Sequence, residues 1–321
     1  MPGLVCYLDG AAADGSPPLS IVGPPGAAAF LRGCLLASRT ELKNGYVVKE
    51  LAAPSPAREG RGAAYEAAAL EHLAARPSAK HPDERPGSFV EPNADGVWKD
   101  VLPGSSVTVE AAPLSHGTIA CVGYRFEEPT KAGALDAAFV KAAAAAAGDD
   151  ARRLFREARA AAAAGISVLT LADGTALDVK RCFVGGVTAR PGRAVVILGD
   201  CAHPGGAAAP PALALARRAD LLVHEATLDD SLAALAEERG HSTPSDAARF
   251  ASTARARALA LWHFSPRYRC DEAFVDAFLP AARAAFAGDV VLAADFLRVA
   301  VARRGDDAAP RPPAPPETAT P

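Results

Sequence analysis

The stretch AVVILGD, residues 194–200, is a continuous apolar run that ends in Gly-Asp. Such a run is typical of a β-strand that is buried on both faces of a sheet. The same design recurs in DLLVHEAT (220–227), ALALWHFS (258–265) and VVLAADFL (290–297). Repeated buried strands of this type predict an α/β fold.

Polar side chains stand at the C-terminal ends of three of these runs. Asp200 ends the first run, His224 and Glu225 lie at the end of the second, and His263 follows the third. In α/β sheets, ligands bind at the carboxyl ends of the strands. We therefore expect these residues to border a functional site.

Two further histidines extend the pattern. His116 follows the run VEAAPLS, and His241 follows a glycine in a loop. Imidazole and carboxylate groups are ligands that zinc prefers, and a carboxylate among histidines can bridge two metal ions. Taken singly, each histidine is more often a hydrogen-bonded core or surface residue, and Asp200 is equally typical of a helix N-cap. Their recurrence within a short span of chain favours a metal site.

The N-terminal third predicts a β–loop–α unit and then an insertion. Residues 19–51 alternate strand-like and helix-like pieces in LSIVGPPG, AAAFLRGCLLAS and GYVVKEL. Residues 52–97 are rich in Pro, Arg, Glu and Ala with little periodicity, which predicts a surface insertion. His72 and His81 lie in this insertion, and we expect both to be solvated.

The middle of the chain is rich in alanine. Residues 134–164 predict helical structure, with Arg152, Arg156 and Arg159 at spacings of four and three and hence on one helical face. The following segment SVLTLADGTAL (167–177) predicts a hairpin around its Asp-Gly pair.

Composition limits the classes of protein that remain. The 321 residues are 50% hydrophobic and carry a formal net charge of −3, so no general basic field points to nucleic acid. A polyanionic partner would need local positive charge or bound metal. Six dispersed cysteines without a CxxC pair indicate reduced thiols and an intracellular compartment. No apolar run approaches the roughly 20 residues of a membrane helix, and the Pro-rich tail 305–321 predicts disorder.

Four segments, LGD, HEAT, GHST and HFSPRY, resemble in order and spacing the C-terminal half of ribonuclease Z, the tRNA 3′-processing endoribonuclease of the metallo-β-lactamase fold. The segments SIVGPPG, PLSHGTIACVGYRFEEPTKAGALD and VVLAADFLRVAV also fall where that family has similar ones. The resemblance implies an αβ/βα four-layer sandwich over residues 1–304, with a tRNA-binding arm at about 130–190. It also implies precursor tRNA as substrate, two zinc ions in a complete site, and a homodimer without membrane attachment.

The resemblance also implies roles for individual residues. His116 and His263 resemble metal ligands, and Asp200 resembles the carboxylate that bridges two zinc ions. His241, in GHST, resembles the general acid that donates a proton to the departing ribose 3′-oxygen. Such a proton transfer typically raises the reaction rate by 10²–10⁴-fold. Glu225 resembles a residue that orients this acid.

Two of these predictions, for His224 and for the arginine face, keep an alternative. His224 resembles a supporting residue beside Glu225, but a buried, hydrogen-bonded histidine without a direct role is equally compatible with the sequence. The arginine face of Arg152, Arg156 and Arg159 predicts phosphate contacts, whereas a solvated helix face is the alternative. The arm also lacks the Gly-Pro-rich tip that is common in the family.

The chain departs from the family at the metal loop HxHxDH. It has seven histidines, and no two of them are two residues apart, so the motif is absent from this sequence. In relatives a stretch resembling GLPGLL follows that loop, and this chain opens with MPGLVCYL. We therefore expect that the first strands, four ligands and a water-activating aspartate are missing, that a sheet edge is exposed, and that this polypeptide binds zinc poorly and cleaves little.

Two other functions are also compatible with the sequence. One is a non-catalytic tRNA-binding or dimerising homologue, although the joint retention of His116, Asp200, His241 and His263 argues against it. The other is a different phosphodiesterase of the metallo-β-lactamase fold, which would need no RNA-binding arm. A purely helical interaction protein is excluded by the strand runs that end in polar groups.

Overall fold

The computed structural model describes residues 2–52, 80–117, 119–202, 210–269 and 271–303. Contacts divide the chain into two compact units. The first unit lies within residues 1–127 and 194–301, and the second lies within residues 128–193 and 302–307.

The helices and strands follow one another along both units. The first part of the first unit contains α1 (Pro2–Ala11), β1 (Leu19–Gly23), α2 (Ala27–Ala37), β2 (Tyr46–Leu51), β3 (Ser88–Val90), β4 (Thr108–His116) and β5 (Ile119–Glu127). The second unit contains β6 (Lys131–Ala132), α3 (Ala137–Ala146), α4 (Ala151–Ala163), β7 (Val168–Thr170), β8 (Ala176–Asp178) and β9 (Ala189–Arg190). The first unit then continues with β10 (Ala194–Ile197), α5 (Pro210–Ala216), β11 (Leu221–Glu225), α6 (Ala233–Arg239), α7 (Pro244–Ala254), β12 (Ala258–Trp262), α8 (Glu272–Ala285) and β13 (Asp289–Leu292). Short 3₁₀ turns cover Val179–Cys182, Val184–Gly186 and Asp230–Leu232.

A six-stranded sheet with the order β13-β12-β11-β10-β5-β4 forms the centre of the first unit. The four predicted apolar runs supply β10 to β13, which are mutually parallel, with Val195 opposite Leu221 and Glu225 opposite Trp262. β5 is antiparallel to both β10 and β4. β4 therefore runs in the same direction as β10, so His116 at its C-terminal end reaches the same sheet edge as Asp200.

Four layers make up this unit, as the predicted αβ/βα sandwich requires. α1 and α2 pack on a three-stranded parallel sheet, β1-β2-β3, through a cluster that includes Leu31, Leu35 and Val48. The opposite face of that sheet packs on the six-stranded sheet through Leu51 and Val109. On the far side, β10 to β12 pack against α5, α7 and α8 in the largest apolar cluster, which includes Leu222, Leu259, Leu215, Phe250 and Phe278.

The second unit has its own apolar core. α3 and α4 pack through Val140, Leu154 and Ala158, and their N-caps Asp136 and Asp150 each accept a backbone hydrogen bond. β7 and β8 form the predicted hairpin around the Asp-Gly pair. The helical prediction for 134–164 is confirmed as two helices rather than one.

The prediction for His81 is wrong. His81 is only 4% exposed, and its Nε2 lies 2.9 Å from the carbonyl oxygen of Thr40. Residues 88–90 of the predicted insertion form β3, which pairs with β2, and Val97 is buried. Composition did not predict these buried residues, because they are few and irregularly spaced among polar residues. His72 and the rest of 53–79 lie outside the described residues.

Two further observations on the described residues concern membrane-spanning helices and the state of the cysteines. None of their helices is both long and apolar enough to cross a bilayer. Five of the six cysteines fall within the described residues and all five are free thiols, as predicted.

Candidate metal centre and catalytic site

The carboxyl ends of β4, β10 and β12 bring three of the predicted residues together. The Asp200 carboxylate lies 3.9 Å from Nε2 of His116 and 3.4 Å from Nε2 of His263. The ring of His241 lies between the two histidines, with centroid distances of 4.7 Å to His116 and 5.5 Å to His263. Residues that are up to 147 positions apart in the sequence thus share one small site.

The chemistry of this donor set suits a divalent metal ion. One possible ligand atom from each of Asp200, His241 and His263 lies within 4.8 Å of the other two, which is close enough for a shared ion. His116 stands just outside this group and approaches it through Asp200. Imidazole nitrogens and a carboxylate are the ligands that zinc takes. The residues present therefore fit a zinc ion.

Glu225 is completely buried at the end of β11, and its carboxylate accepts four hydrogen bonds. Oε1 accepts from Nδ1 of His241 at 2.8 Å and from the backbone N–H of Cys201 at 3.1 Å. Oε2 accepts from the backbone N–H of Thr227 at 2.9 Å and from its hydroxyl at 2.7 Å. Because every partner is a donor, the buried carboxylate is fully satisfied, and it orients His241 directly.

Thr227 is a site residue that the sequence patterns did not single out. Its Oγ1 lies 2.9 Å from Nδ1 of His263 and 3.2 Å from Nδ1 of His241. The residue is the last letter of HEAT, so the sequence signal was its position two residues beyond Glu225. Thr227 lies just beyond the end of β11, where its backbone N–H and its hydroxyl both donate to the Glu225 carboxylate.

The segment GHST shows how local sequence places His241. Gly240 ends α6 in the left-handed conformation at φ 77°, and its carbonyl oxygen accepts from Nδ1 of His116 at 2.8 Å. A Cβ at this position would lie 2.3 Å from the backbone nitrogen of Gly117, so only glycine fits. The Ser242 hydroxyl donates to the carbonyl oxygen of Cys201 at 2.7 Å, and Thr243 begins α7 with a capping box.

His263 occupies the left-handed region at φ 61°, immediately after β12. This conformation is uncommon for a residue other than glycine, and such strain clusters at functional sites. It turns the chain sharply at the end of the strand, next to the Asp200 carboxylate.

His224 points away from the metal-ligating group. The side chain is completely buried, its Nδ1 lies 2.7 Å from the carbonyl oxygen of Glu225, and its Nε2 lies 3.8 Å from Sγ of Cys201. The ring also packs against Phe250 at 5.4 Å. Burial lowers the pKa of His224 from its ordinary value, which favours the neutral imidazole.

Two other features bear on a substrate. A cavity of about 690 Å³ opens beside His263 and is lined by aromatic residues that include Trp262, Phe264 and Tyr268. In the second unit, the predicted RNA-binding residues Arg152, Arg156 and Arg159 are exposed on α4.

Comparison with known proteins gives a consistent picture. No protein-family model matches the chain. The chain is 39% identical to ribonuclease BN of Cronobacter sakazakii over 207 residues. These aligned residues cover 63% of this chain and 59% of that protein. It is 33% identical over 276 residues to mouse zinc phosphodiesterase ELAC protein 1, which covers 84% of this chain and 68% of that protein.

One solved structure shows a similar fold. The crystal structure of human tRNase Z, short form (ELAC1), matches with a TM-score of 0.51 and 24% sequence identity, and the match covers 94% of this chain and 73% of that one. The fold is therefore that of the metallo-β-lactamases. The chain spans 59% and 63% of the two ribonuclease BN relatives that it matches first.

Proposed function

Because this chain belongs to the ribonuclease Z family, which includes ribonuclease BN and ELAC protein 1, we propose that its site serves a zinc-dependent endoribonuclease that removes the 3′ trailer of precursor tRNA. One observation carries this proposal. Glu225 holds His241 by a 2.8 Å hydrogen bond beside the Asp200 carboxylate and His263. A carboxylate-held imidazole next to a metal-ligating group is what hydrolysis of an RNA phosphodiester needs.

His116, Asp200 and His263 are the proposed metal ligands. Zinc, when bound, supplies Lewis-acid activation of the attacking water and of the phosphate oxygens. His116 donates its Nδ1 proton to the Gly240 carbonyl, and the Nδ1 of His263 faces the Thr227 hydroxyl. Both partners are uncharged, which suits a neutral imidazole that offers its Nε2 lone pair to a metal.

His241 is the proposed general acid. Its Nδ1 partner is the buried Glu225 carboxylate, and a carboxylate stabilises the charged imidazolium that carries a second proton on Nε2. The departing ribose 3′-oxygen is a strong base, so a proton from Nε2 accelerates cleavage by typically 10²–10⁴-fold. This difference in Nδ1 partner separates the proton donor His241 from the ligands His116 and His263.

Recognition of the substrate is assigned to two features. The exposed arginines of α4, Arg152, Arg156 and Arg159, are proposed to contact tRNA phosphates as part of an arm at about 130–190. The second feature is the cavity of about 690 Å³ beside His263, whose volume lies in the range of pockets that bind small ligands. Pairing of the chain into a homodimer remains a prediction of the family resemblance.

The 321-residue polypeptide is proposed to hold zinc weakly and to cleave little by itself. His116, Asp200 and His263 would be shared between two metal positions, whereas a closed zinc site takes four ligands. No HxHxDH segment stands among the seven histidines of the sequence. Zinc titration with metal analysis tests this point, and two tightly held zinc ions per chain would contradict it.

A cleavage assay tests the function itself. We would compare a 3′-extended precursor tRNA with bis(p-nitrophenyl) phosphate, using the chain alone and the chain joined at its N-terminus to a relative's HxHxDH segment. The proposal expects the joined protein to cleave the precursor tRNA. Replacement His241→Ala should slow cleavage of the tRNA far more than cleavage of the nitrophenyl ester, because nitrophenolate departs without a proton.

Two results would point instead to the other functions. A protein that binds the precursor tRNA without cutting it would be a non-catalytic homologue. A protein that hydrolyses only the small ester would be a phosphodiesterase of different specificity. Either outcome would contradict the proposed endoribonuclease.

A further inference from the structure

Thr227 Oγ1 is in contact with three groups of the candidate site. It lies 2.7 Å from Oε2 of Glu225, 2.9 Å from Nδ1 of His263 and 3.2 Å from Nδ1 of His241. The hydroxyl thus connects the proposed general acid to a proposed metal ligand.

The positions of the protons follow from what each group can donate. A hydroxyl has one proton, and an ionised carboxylate only accepts, so the Thr227 proton points at Glu225. Toward His263 the same oxygen is therefore an acceptor, and Nδ1 of His263 must carry the hydrogen. A neutral imidazole has a single ring proton, which leaves a lone pair on Nε2 of His263.

That lone pair faces the centre of the site. Nε2 of His263 lies 3.4 Å from Oδ1 of Asp200, and His263 belongs to the group of possible ligands. If the proton moved from Nδ1 to Nε2, the Asp200 carboxylate would accept it, and His263 would no longer have a free lone pair on Nε2. An acceptor at Nδ1 is therefore needed to keep Nε2 available.

His116 also has an acceptor at Nδ1, but that acceptor is a backbone group. Its Nδ1 donates to the backbone carbonyl of Gly240 at 2.8 Å, and a carbonyl can only accept. A backbone carbonyl is present whatever the residue, so substitution cannot remove this acceptor. At His263 the acceptor is a side chain, so its contribution can be tested directly.

We propose that Thr227 is a positioning residue that fixes His263 in the Nδ1–H tautomer, so that Nε2 is available as a metal ligand. Through the shared hydroxyl and Glu225, the same residue links this tautomer to the orientation of His241. The inference deepens the proposed function and rests on it only for the metal that Nε2 serves. The tautomer itself depends on the hydrogen bonds alone.

The variant Thr227→Val isolates the hydroxyl. Valine keeps the β-branched shape and the backbone N–H that bonds to Glu225 at 2.9 Å, but it has no oxygen to accept from His263. Thr227→Ser restores the hydroxyl without the methyl group. Thr253→Val is the matched control, since Thr253 is an exposed residue of α7 whose hydroxyl bonds to the carbonyl of Arg249.

Two measurements on the full chain test the proposal. Long-range ¹H–¹⁵N NMR at a pH where imidazole is neutral reports which ring nitrogen of His263 is protonated, with the signal assigned by its disappearance in His263→Gln. Isothermal titration with Zn²⁺ alone reports metal affinity. Thermal unfolding of each variant verifies that it is folded.

The expected result is an Nδ1–H tautomer at His263 in the parent, in Thr227→Ser and in Thr253→Val, and an Nε2–H tautomer in Thr227→Val. Zinc affinity should fall by about 10–100-fold in Thr227→Val alone, the usual effect of removing a group that orients a metal ligand. An Nε2–H tautomer in the parent, or unchanged tautomer and zinc affinity in a folded Thr227→Val, would overturn the proposal. Because neither measurement uses RNA cleavage, failure here is distinct from failure of the proposed nuclease.

Discussion

The Glu225 carboxylate is completely buried and accepts a 2.8 Å hydrogen bond from Nδ1 of His241. The remaining lone pairs are occupied by donors from Cys201 and Thr227. A buried charge is costly unless it is paired and hydrogen-bonded. This one carboxylate therefore contributes both to the stability of the β11 end and to the direction in which His241 points.

Replacement Glu225→Gln should destabilise the fold. Glutamine has a single oxygen, and its NH₂ group would face two donors, either at the Cys201 and His241 side or at the Thr227 side. We expect the free energy of unfolding to fall by about 1–3 kcal/mol for the unsatisfied groups, measured by urea denaturation. The matched control Glu238→Gln, exposed on α6, should change little. Equal effects of the two substitutions would contradict the role of the buried carboxylate.

Replacement Gly240→Ala should disrupt the contact between the GHST segment and His116. The new Cβ would lie 2.3 Å from the nitrogen of Gly117 and 2.7 Å from the carbonyl carbon of His116. Gly174→Ala is the matched control, because Gly174 also has a positive φ of 84° but has nothing within 4 Å of the added Cβ. We expect a larger drop in melting temperature and weaker zinc binding for Gly240→Ala. If both variants lowered the melting temperature and zinc binding equally, the strain of a side chain at positive φ would cause the effect, and the contact with His116 and Gly117 would not.

His224 should make folding stability depend on pH. Burial lowers its pKa in the folded protein below the ordinary value of 6.5. Between those two values the unfolded chain binds more protons, so stability falls as pH decreases below about 6.5 and is fully present above it. Replacement His224→Gln removes this contribution. Urea unfolding from about pH 8 to about pH 5 should show a shallower pH dependence in the variant, and parallel curves would refute the assignment.

The arginines of α4 should contribute to tRNA affinity through charge alone. Replacing Arg152, Arg156 and Arg159 together by glutamine should weaken binding, and it should reduce the slope of log affinity against log salt by roughly 0.7–0.9 for each phosphate that is no longer neutralised. Arg153→Gln on the same helix is the matched control, since Arg153 already pairs with Asp149 at 2.5 Å. Fluorescence anisotropy across a salt series measures both quantities. An unchanged slope in the triple variant would remove these arginines from RNA binding.

Much of the fold was predictable from the sequence because its signals are local. Each apolar run from AVVILGD onward is long enough to specify a buried strand, and all four form parallel neighbours in one sheet. The Asp-Gly hairpin and the alanine-rich helices follow from turn and helix preferences of adjacent residues. The position of His116 beside Asp200 was predicted from the strand ends and the family resemblance, and the structure brings their side chains to within 3.9 Å.

Other features were decided only by packing between distant segments. His81 is buried because it packs against the loop after α2, through Thr40, and against Tyr46 of β2, which the composition of 52–97 does not reveal. The contact of His116 with Gly240 joins residues 124 positions apart, and that of Thr227 with His263 joins residues 36 positions apart.

The sequence by itself determined the strands, their polar ends and hence which residue types could meet at one edge of the sheet. Only the tertiary structure decided which nitrogen of each histidine faces an acceptor and which faces the site. The reason is physical: secondary structure follows from preferences of neighbouring residues, whereas the placement of a proton depends on ångström distances between groups that the chain brings together only when it folds.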